Sequence, residues 1–259
     1  MGTGAITGYV DVAQLALYAF WAFFAGLIYY LQRESKREGF PLESDVPDGR
    51  VISSTGFVGM PAPKTYLSLH GHEPVSVPND KVSPQVLKAQ PQHRWIGAPL
   101  VPTGNPMLDG VGPGAWADRA DVPDLTIEGE AKIVPLRAAK GFGIAGRDAD
   151  PRGLPVVGDD GKVGGTVREI WVDRSEMIVR YLEIDVPKAA KGPHVLLPLN
   201  FARVGRDKIT VKSILGHQFA DVPRLKNPDQ ITLLEEEKVM AYYGGGTLYA
   251  EPSRQEALV

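Results

Sequence analysis

Glu128, Glu130, Asp173 and Glu176 are the residues of this chain best suited to chemistry, because they flank predicted strand ends instead of forming one long polar run. A carboxyl group's pKa follows its burial and its charged neighbours. Gathered beside a partner's buried site, these four could therefore relay protons, whereas spread over a surface they are ordinary solvated charges. Residue type and spacing leave both readings open. His70-Gly71-His72 brings two imidazoles close enough to share a metal, but no third ligand is evident nearby and the stretch reads as loop. A solvated pair is expected there, and no metal site is assigned. Gly141-Phe142-Gly143-Ile144-Ala145-Gly146 matches the dinucleotide pattern G-x-G-x-x-G. That pattern works only between a strand and a helix, and Asp150-Pro151-Arg152-Gly153 cannot continue a helix. No Walker loop, G-x-S-x-G elbow or H-E-x-x-H is present, and His72-Glu73 runs into Pro74. The visible machinery of a hydrolase or kinase is missing.

The bulk properties narrow the classes further. With 259 residues, 43% of them hydrophobic, the chain can bury a sizeable core in one or two domains. Its 28 basic and 31 acidic residues and pI near 6.0 provide no basic field for nucleic acid. The absence of cysteine excludes disulfides, thiolate metal sites and cysteine nucleophiles.

What would position the carboxylates is an unevenly built chain. The first basic residue is Arg33 and the only acid before it is Asp11, so residues 12–32 form an uncharged run of 21 residues. As a helix this run spans about 30 Å, the thickness of a bilayer's hydrocarbon. It lacks the basic start and small-residue cleavage site of a signal peptide and reads as a retained transmembrane anchor. Arg33, Lys36 and Arg37 follow the span and none precedes it, which puts residues 1–11 in the periplasm and the remainder in the cytoplasm. Tyr9 at one end, with Tyr29 and Tyr30 at the other, suit the two interfaces. Ala19, Ala22 and Gly26 form a small-residue stripe that would admit a neighbouring helix, although a simple lipid-facing anchor remains open. The span contains no histidine, so it supplies no imidazole to a pigment or haem and no ionisable group for charge movement.

Residues 33–115 are rich in proline and glycine. Twelve of the 22 prolines fall between Pro41 and Pro113, a density that forbids long helices and central strands. Met60, Tyr66, Leu67, Trp95 and Trp116 are nevertheless too apolar for a disordered tail, so an extended segment lying along a partner or the membrane surface is expected. Residues 116–259 are predicted to form a mainly-β domain with one C-terminal helix. Strands are expected near 154–157, 162–173, 177–186, 194–199 and 208–214, separated by Asp159-Asp160-Gly161, a loop over 187–193 and Gly205-Arg206-Asp207. Between 178 and 186, Leu182, Ile184 and Val186 alternate with Tyr181, Glu183 and Asp185, which predicts an inner and an outer face; Ile209 and Val211 also point inward. Such short strands suggest a small barrel or a sandwich. The helix opens at Asn227-Pro228 or at the capping box Thr232-x-x-Glu235, and Gly244-Gly245-Gly246 is expected to end it.

Asp11 to Gln32 and Arg37-Glu38-Gly39-Phe40-Pro41-Leu42-Glu43 open a collinear series of motifs. It continues through Pro102-Thr103-Gly104-Asn105-Pro106-Met107, Asp109-Gly110-Val111-Gly112-Pro113, Gly153-Leu154-Pro155-Val156, Ile170-Trp171-Val172-Asp173, Leu196-Leu197-Pro198 and Thr232-Leu233-Leu234-Glu235-Glu236. In these the chain resembles, over nearly its whole length, the H subunit of the purple-bacterial photosynthetic reaction centre. The resemblance implies a single transmembrane α-helix and a cytoplasmic β-barrel of the PRC type. It also implies a subunit that ligates no cofactor, within a complex whose L and M subunits hold bacteriochlorophyll, bacteriopheophytin, quinones and non-haem iron. The implied partners are L, M and membrane lipids, with a cytochrome subunit and core antenna polypeptides as further candidates. The implied site is the bacterial inner, intracytoplasmic membrane. The subunit would assemble and stabilise the core, shield the secondary quinone and conduct protons to it, and would not itself be an enzyme.

Residue by residue, Glu176 matches the family's acidic residue near the quinone pocket, with Asp173 and Arg180 beside it, and Tyr30 matches a position near a bound anionic lipid, a contact that the basic flank of Arg33, Lys36 and Arg37 would reinforce. Where some members carry a pair of surface histidines for proton uptake, Glu128 and Glu130 stand here, with Thr126 in place of an aspartate. Carboxylates titrate lower than imidazole, so this departure leaves the uptake point less defined than Glu176. The competing expectation is a membrane-anchored cytoplasmic adaptor or sensor with a β-barrel binding domain.

Overall fold

A computed structural model of the chain describes residues 4–7, 10–40, 42–43, 51–52, 58–67, 73–79, 86–95, 97–187 and 194–255. Tyr9, His70, His72 and residues 188–193 lie outside this set. The chain divides into two compact units, Met1–Val82 with Trp95–Gly97, and Ser83–Arg94 with Ala98–Val259.

The first unit is dominated by helix α1, Val12–Glu34. Asp11 caps it, its carboxylate accepting from the Gln14 N–H at 2.7 Å, and the uncharged run supplies 23 helical residues without a breaker. None of them is buried by the chain itself, and Phe23 is 65% exposed. So much apolar surface held in water is costly, and α1 is the one described helix long and apolar enough to cross a membrane. A single 3₁₀ turn, Ser35–Arg37, follows. Arg37 pairs with Glu34 at 2.8 Å and donates to the Ala62 and Val77 carbonyls at 2.7 and 3.3 Å, tying the helix end to the downstream chain. Among the described residues that follow, β1 (Leu42–Glu43) pairs with β2 (Val51–Ile52), and β3 (Lys64–Tyr66) with β4 (Val75–Val77), both antiparallel.

In the second unit a hairpin of β5 (Ala89–Pro91) and β6 (Leu100–Pro102) precedes a one-turn helix α2, Pro106–Asp109. The main sheet contains β7 (Ile133–Pro135), β8 (Pro155–Val157), β9 (Val163–Asp173), β10 (Ile178–Asp185), β11 (His194–Pro198), β12 (Ala202–Val204) and β13 (Ile209–Val211). Its order is β11-β10-β9-β8-β13-β12, with β7 pairing beside the end of β9. All pairs are antiparallel except β8 with β13. The β-rich expectation is met by this one open half-barrel, the only sheet of more than two strands among the described residues. All five predicted strands occur within a few residues of their expected limits, because turn residues punctuate them. Sequence reading missed β7 and β12, three residues each, too short to carry a period. Ile209 and Val211 point inward, joining Val156, Ile184, Leu197 and Ile214 in a fully buried core.

Two expectations are corrected. On β10 the supposed outer face is only partly in water: Asp185 is exposed, but Tyr181 and Glu183 are 4% and 5% exposed. Trp171 Nε1 and Arg137 Nη1 each donate to the Glu183 carboxylate at 3.0 Å, which compensates its loss of hydration. The second concerns α3, Leu233–Tyr249, which opens at the Thr232 box as one alternative predicted but runs straight through Gly244–Gly246. The glycines allow close approach instead. A Cβ on Gly244 would lie 2.9 Å from the Pro113 carbonyl oxygen, and one on Gly245 would lie 3.0 Å from Gly114 Cα. The helix therefore seats directly on the 3₁₀ turn Gly112–Gly114, which only a residue without a side chain permits.

Candidate functional site

The end of β9 presents Asp173, and the turn Arg174-Ser175-Glu176-Met177 leads into β10. Asp173 is wholly buried. Its Oδ1 accepts from the backbone N–H groups of Ser175 and Glu176 at 2.9 and 3.0 Å, so the carboxylate itself shapes the turn that carries Glu176. The other oxygen, Oδ2, makes no hydrogen bond and faces two cations, Lys132 Nζ at 3.6 Å and Arg180 Nε at 3.9 Å.

Lys132 is the hub. It precedes β7, whose ladder sets Ile133 opposite Asp173, and the Arg174 N–H closes this junction on the Lys132 carbonyl at 2.9 Å. Besides Asp173, its ammonium lies 3.5 Å from Asp124 Oδ2 and 3.6 Å from Glu176 Oε1. Burial works against the charge on Lys132, but Asp173, Asp124 and Glu176 together outweigh it and raise its pKa. A fixed positive charge thus sits among three carboxylates graded from buried to half-exposed.

The predicted residues divide into two groups. Asp173, Glu176 and Arg180 are brought together through Lys132. Glu130 is held by Arg174 Nη1 at 2.6 Å, while the same guanidinium's Nε donates to the Ala131 carbonyl at 2.9 Å. Glu128 lies beyond it at an exposed turn, and both acids border a shallow depression with Lys140 and Phe142. Arg174 is the step between the groups, since it shares the turn with Glu176. Tyr30 and Arg33 belong to the first unit, one turn apart on α1, with the Tyr30 ring exposed.

Behind Lys132 and Arg180 opens a cleft of about 810 Å³ whose lining also includes Arg119, Asp124, Tyr181, Glu236 and Glu237. Tyr181 donates to Glu236 Oε2 at 2.9 Å. Burial raises the pKa of Glu236 against the opposing pull of the Tyr181 hydroxyl and Arg180, and burial raises that of Tyr181 further still. Sequence reading passed over Asp124, Lys132, Tyr181 and Glu236 as site residues. The available signal was faint: a lysine beside an apolar triplet, and a carboxylate next to a capping box.

The Gly141–Gly146 stretch has neither a strand directly before it nor a helix after it, so its glycines do not form a dinucleotide loop.

A family model for the photosynthetic reaction centre, H-chain N-terminal region, matches residues 4–138. The chain belongs to this family. A second model, the PRC-barrel domain, matches residues 145–218. Reaction-centre H chains are structural subunits of a light-driven complex, which displaces the generic adaptor reading. α1, Asp124, Lys132 and β7 lie in the H-chain match, while Asp173, Glu176 and Arg180 lie in the barrel match. The charged cluster of this H chain is thus joined from both regions, and Glu236 comes from α3, beyond either match.

Proposed function

We propose that this H chain assembles and stabilises the L and M subunits of a reaction centre, shields the secondary quinone site and helps conduct protons to it. The observation that carries this reading is the buried Asp173 joined through Lys132 to the half-exposed Glu176. Reduction of a quinone to a quinol takes up two protons, and a site closed to bulk water needs titratable groups to deliver them. Lys132 is held in its charged form and serves as a fixed counter-charge, leaving the carboxylates and water to carry protons. The chain sits with its N-terminus periplasmic and residues 33–259 cytoplasmic, following the basic flank of α1. Leu67, 83% exposed, and Trp95, 61% exposed, supply apolar surface for a partner or the membrane to cover. Pigments, quinones and iron belong to the partners, in keeping with an α1 that carries no imidazole. A cytochrome subunit and core antenna polypeptides complete the proposed assembly.

The test is isolation of the chain from its native membranes in mild detergent, followed by near-infrared spectroscopy and a flash transient. Stoichiometric bacteriochlorophyll with reversible photobleaching supports the reading, and a colourless complex overturns it. Within such a complex, Glu176→Gln is expected to slow proton-coupled transfer of the second electron to the secondary quinone while charge separation stays intact. Flash kinetics that match wild type at every pH would remove Glu176 from the route. Glu128→Gln with Glu130→Gln slows the same step if their depression is the uptake point.

Tyr30 and Arg33 on α1 are proposed to contact an anionic lipid headgroup, the phenol by hydrogen bonding and the guanidinium by charge. Native mass spectrometry of a Tyr30→Phe complex should then record fewer retained lipids, and an unchanged lipid count counts against the contact.

A further inference from the structure

We propose that Glu236, hydrogen-bonded to Tyr181, is a second proton-holding carboxyl of this cleft and exchanges its proton through water with the cluster around Lys132. Neighbouring residues of β10 link the two sets: Arg180 faces Asp173, and Tyr181 faces Glu236 across the gap to α3. The cleft between them, about 810 Å³, has room for a chain of water molecules, each occupying about 30 Å³ in the liquid.

The surroundings of Glu236 shift it toward the neutral acid. Ile178, Leu199 and Met240 contribute apolar wall to the same cleft and withhold hydration from a carboxylate. Charges reach it from each neighbouring element. Arg180 on β10 and Arg119 on the loop before β7 favour the anion, and Asp124 opposes it. Lys132 shares the cleft but is engaged by Asp124, Asp173 and Glu176. Arg119 is taken up in part by Glu237, 3.5 Å away. Glu235, next along the helix, is occupied with the N–H groups of Thr232 and Lys226 at 2.9 and 2.7 Å. Burial outweighs the two arginines, so the folded pKa of Glu236 stands above its ordinary value. The Tyr181 phenol is raised far beyond physiological pH and only donates. Oε2 receives that hydrogen bond, which leaves Oε1 to carry the exchangeable proton.

The holding of a proton is a property of this chain alone, whereas its delivery rests on the function proposed above, and the two are measured separately. Infrared spectra of the full chain in detergent, kept dark and titrated from acidic to alkaline pH, should show one carboxylic C=O band that outlasts the others as pH rises. Glu236→Gln should remove this band, Tyr181→Phe should shift its frequency, and Glu236→Asp should retain a carboxylic band. A band undiminished in Glu236→Gln overturns the proposal. In the light-active complex, Glu236→Gln should slow second-electron transfer several-fold. The difference should shrink as pH rises through the raised pKa of Glu236. Loss of the band with an unchanged pH profile overturns the exchange. Absence of any light-active complex counts against the proposed function and leaves the infrared arm to decide Glu236.

Discussion

Lys132→Met is expected to destabilise the full chain by about 3 kcal/mol, and addition of Asp173→Asn to restore most of that loss. The reasoning turns on burial. Asp173 has no exposed surface, and its Oδ2 has no hydrogen-bond donor, only Lys132 at 3.6 Å and Arg180 at 3.9 Å. Removal of the nearer cation leaves a carboxylate out of water with one distant partner, a more costly state than having neither charge. Asparagine keeps an oxygen for the Ser175 and Glu176 N–H groups, so the turn survives in the double variant. Urea unfolding followed by circular dichroism of wild type, both singles and the double gives the coupling directly. Additive losses would mean that Lys132 answers chiefly to Asp124 and Glu176, and the hub would lose its central place.

Gly246→Val should cost about 3 kcal/mol through overpacking where α3 meets the bend after β13. A Cβ there would stand 2.5 Å from Ile214 Cγ2 and nearer still to the Ser213 carbonyl oxygen, and a backbone carbonyl cannot rotate aside. Arg254 pins the same junction, its Nη1 donating to the Gly246 and Ser213 carbonyls at 2.9 and 3.0 Å, so the helix has little freedom to retreat. Gly143→Ala is the control. Its added carbon meets nothing within 4 Å, and the change should stay within about 0.5 kcal/mol. Equal midpoints for the two variants would show that the α3 contact is looser than these distances state.

Both predictions bear on function because the same elements carry the charges. α3 holds Glu236 against Tyr181, and β7 holds Lys132 against the end of β9. A shift of α3 away from β10 would open the cleft, hydrate Glu236 and lower its pKa toward that of an ordinary carboxyl. As a folded-state pKa raised above its unfolded value, that of Glu236 favours the fold at low pH. The contribution is lost as pH rises through the folded value.

The sequence by itself determined whatever depends on neighbours along the chain. An uncharged run bounded by Asp11 and Arg33 forms α1 because nothing in it breaks or hydrates the helix, and Asp159-Asp160-Gly161 and Gly205-Arg206-Asp207 separate strands by turn chemistry. Thr232 and Glu235 open α3 because their reciprocal bonds close within one turn. The collinear motifs by themselves mark the H-chain family, and the matches over 4–138 and 145–218 agree with them. Only the tertiary structure decided which charges meet. Lys132 reaches Asp173 and Glu176 because β7 pairs with the far end of β9, and Tyr181 finds Glu236 because a helix some fifty residues downstream covers the Tyr181 end of the face expected to be outside. Gly244–Gly246 reads locally as a stop and acts globally as a seat, since backbone hydrogen bonding alone leaves a glycine helix weak while close packing against Gly112–Gly114 supports it. Whether a carboxyl holds a proton is settled by burial and by groups remote in the chain, and local pattern has no access to either.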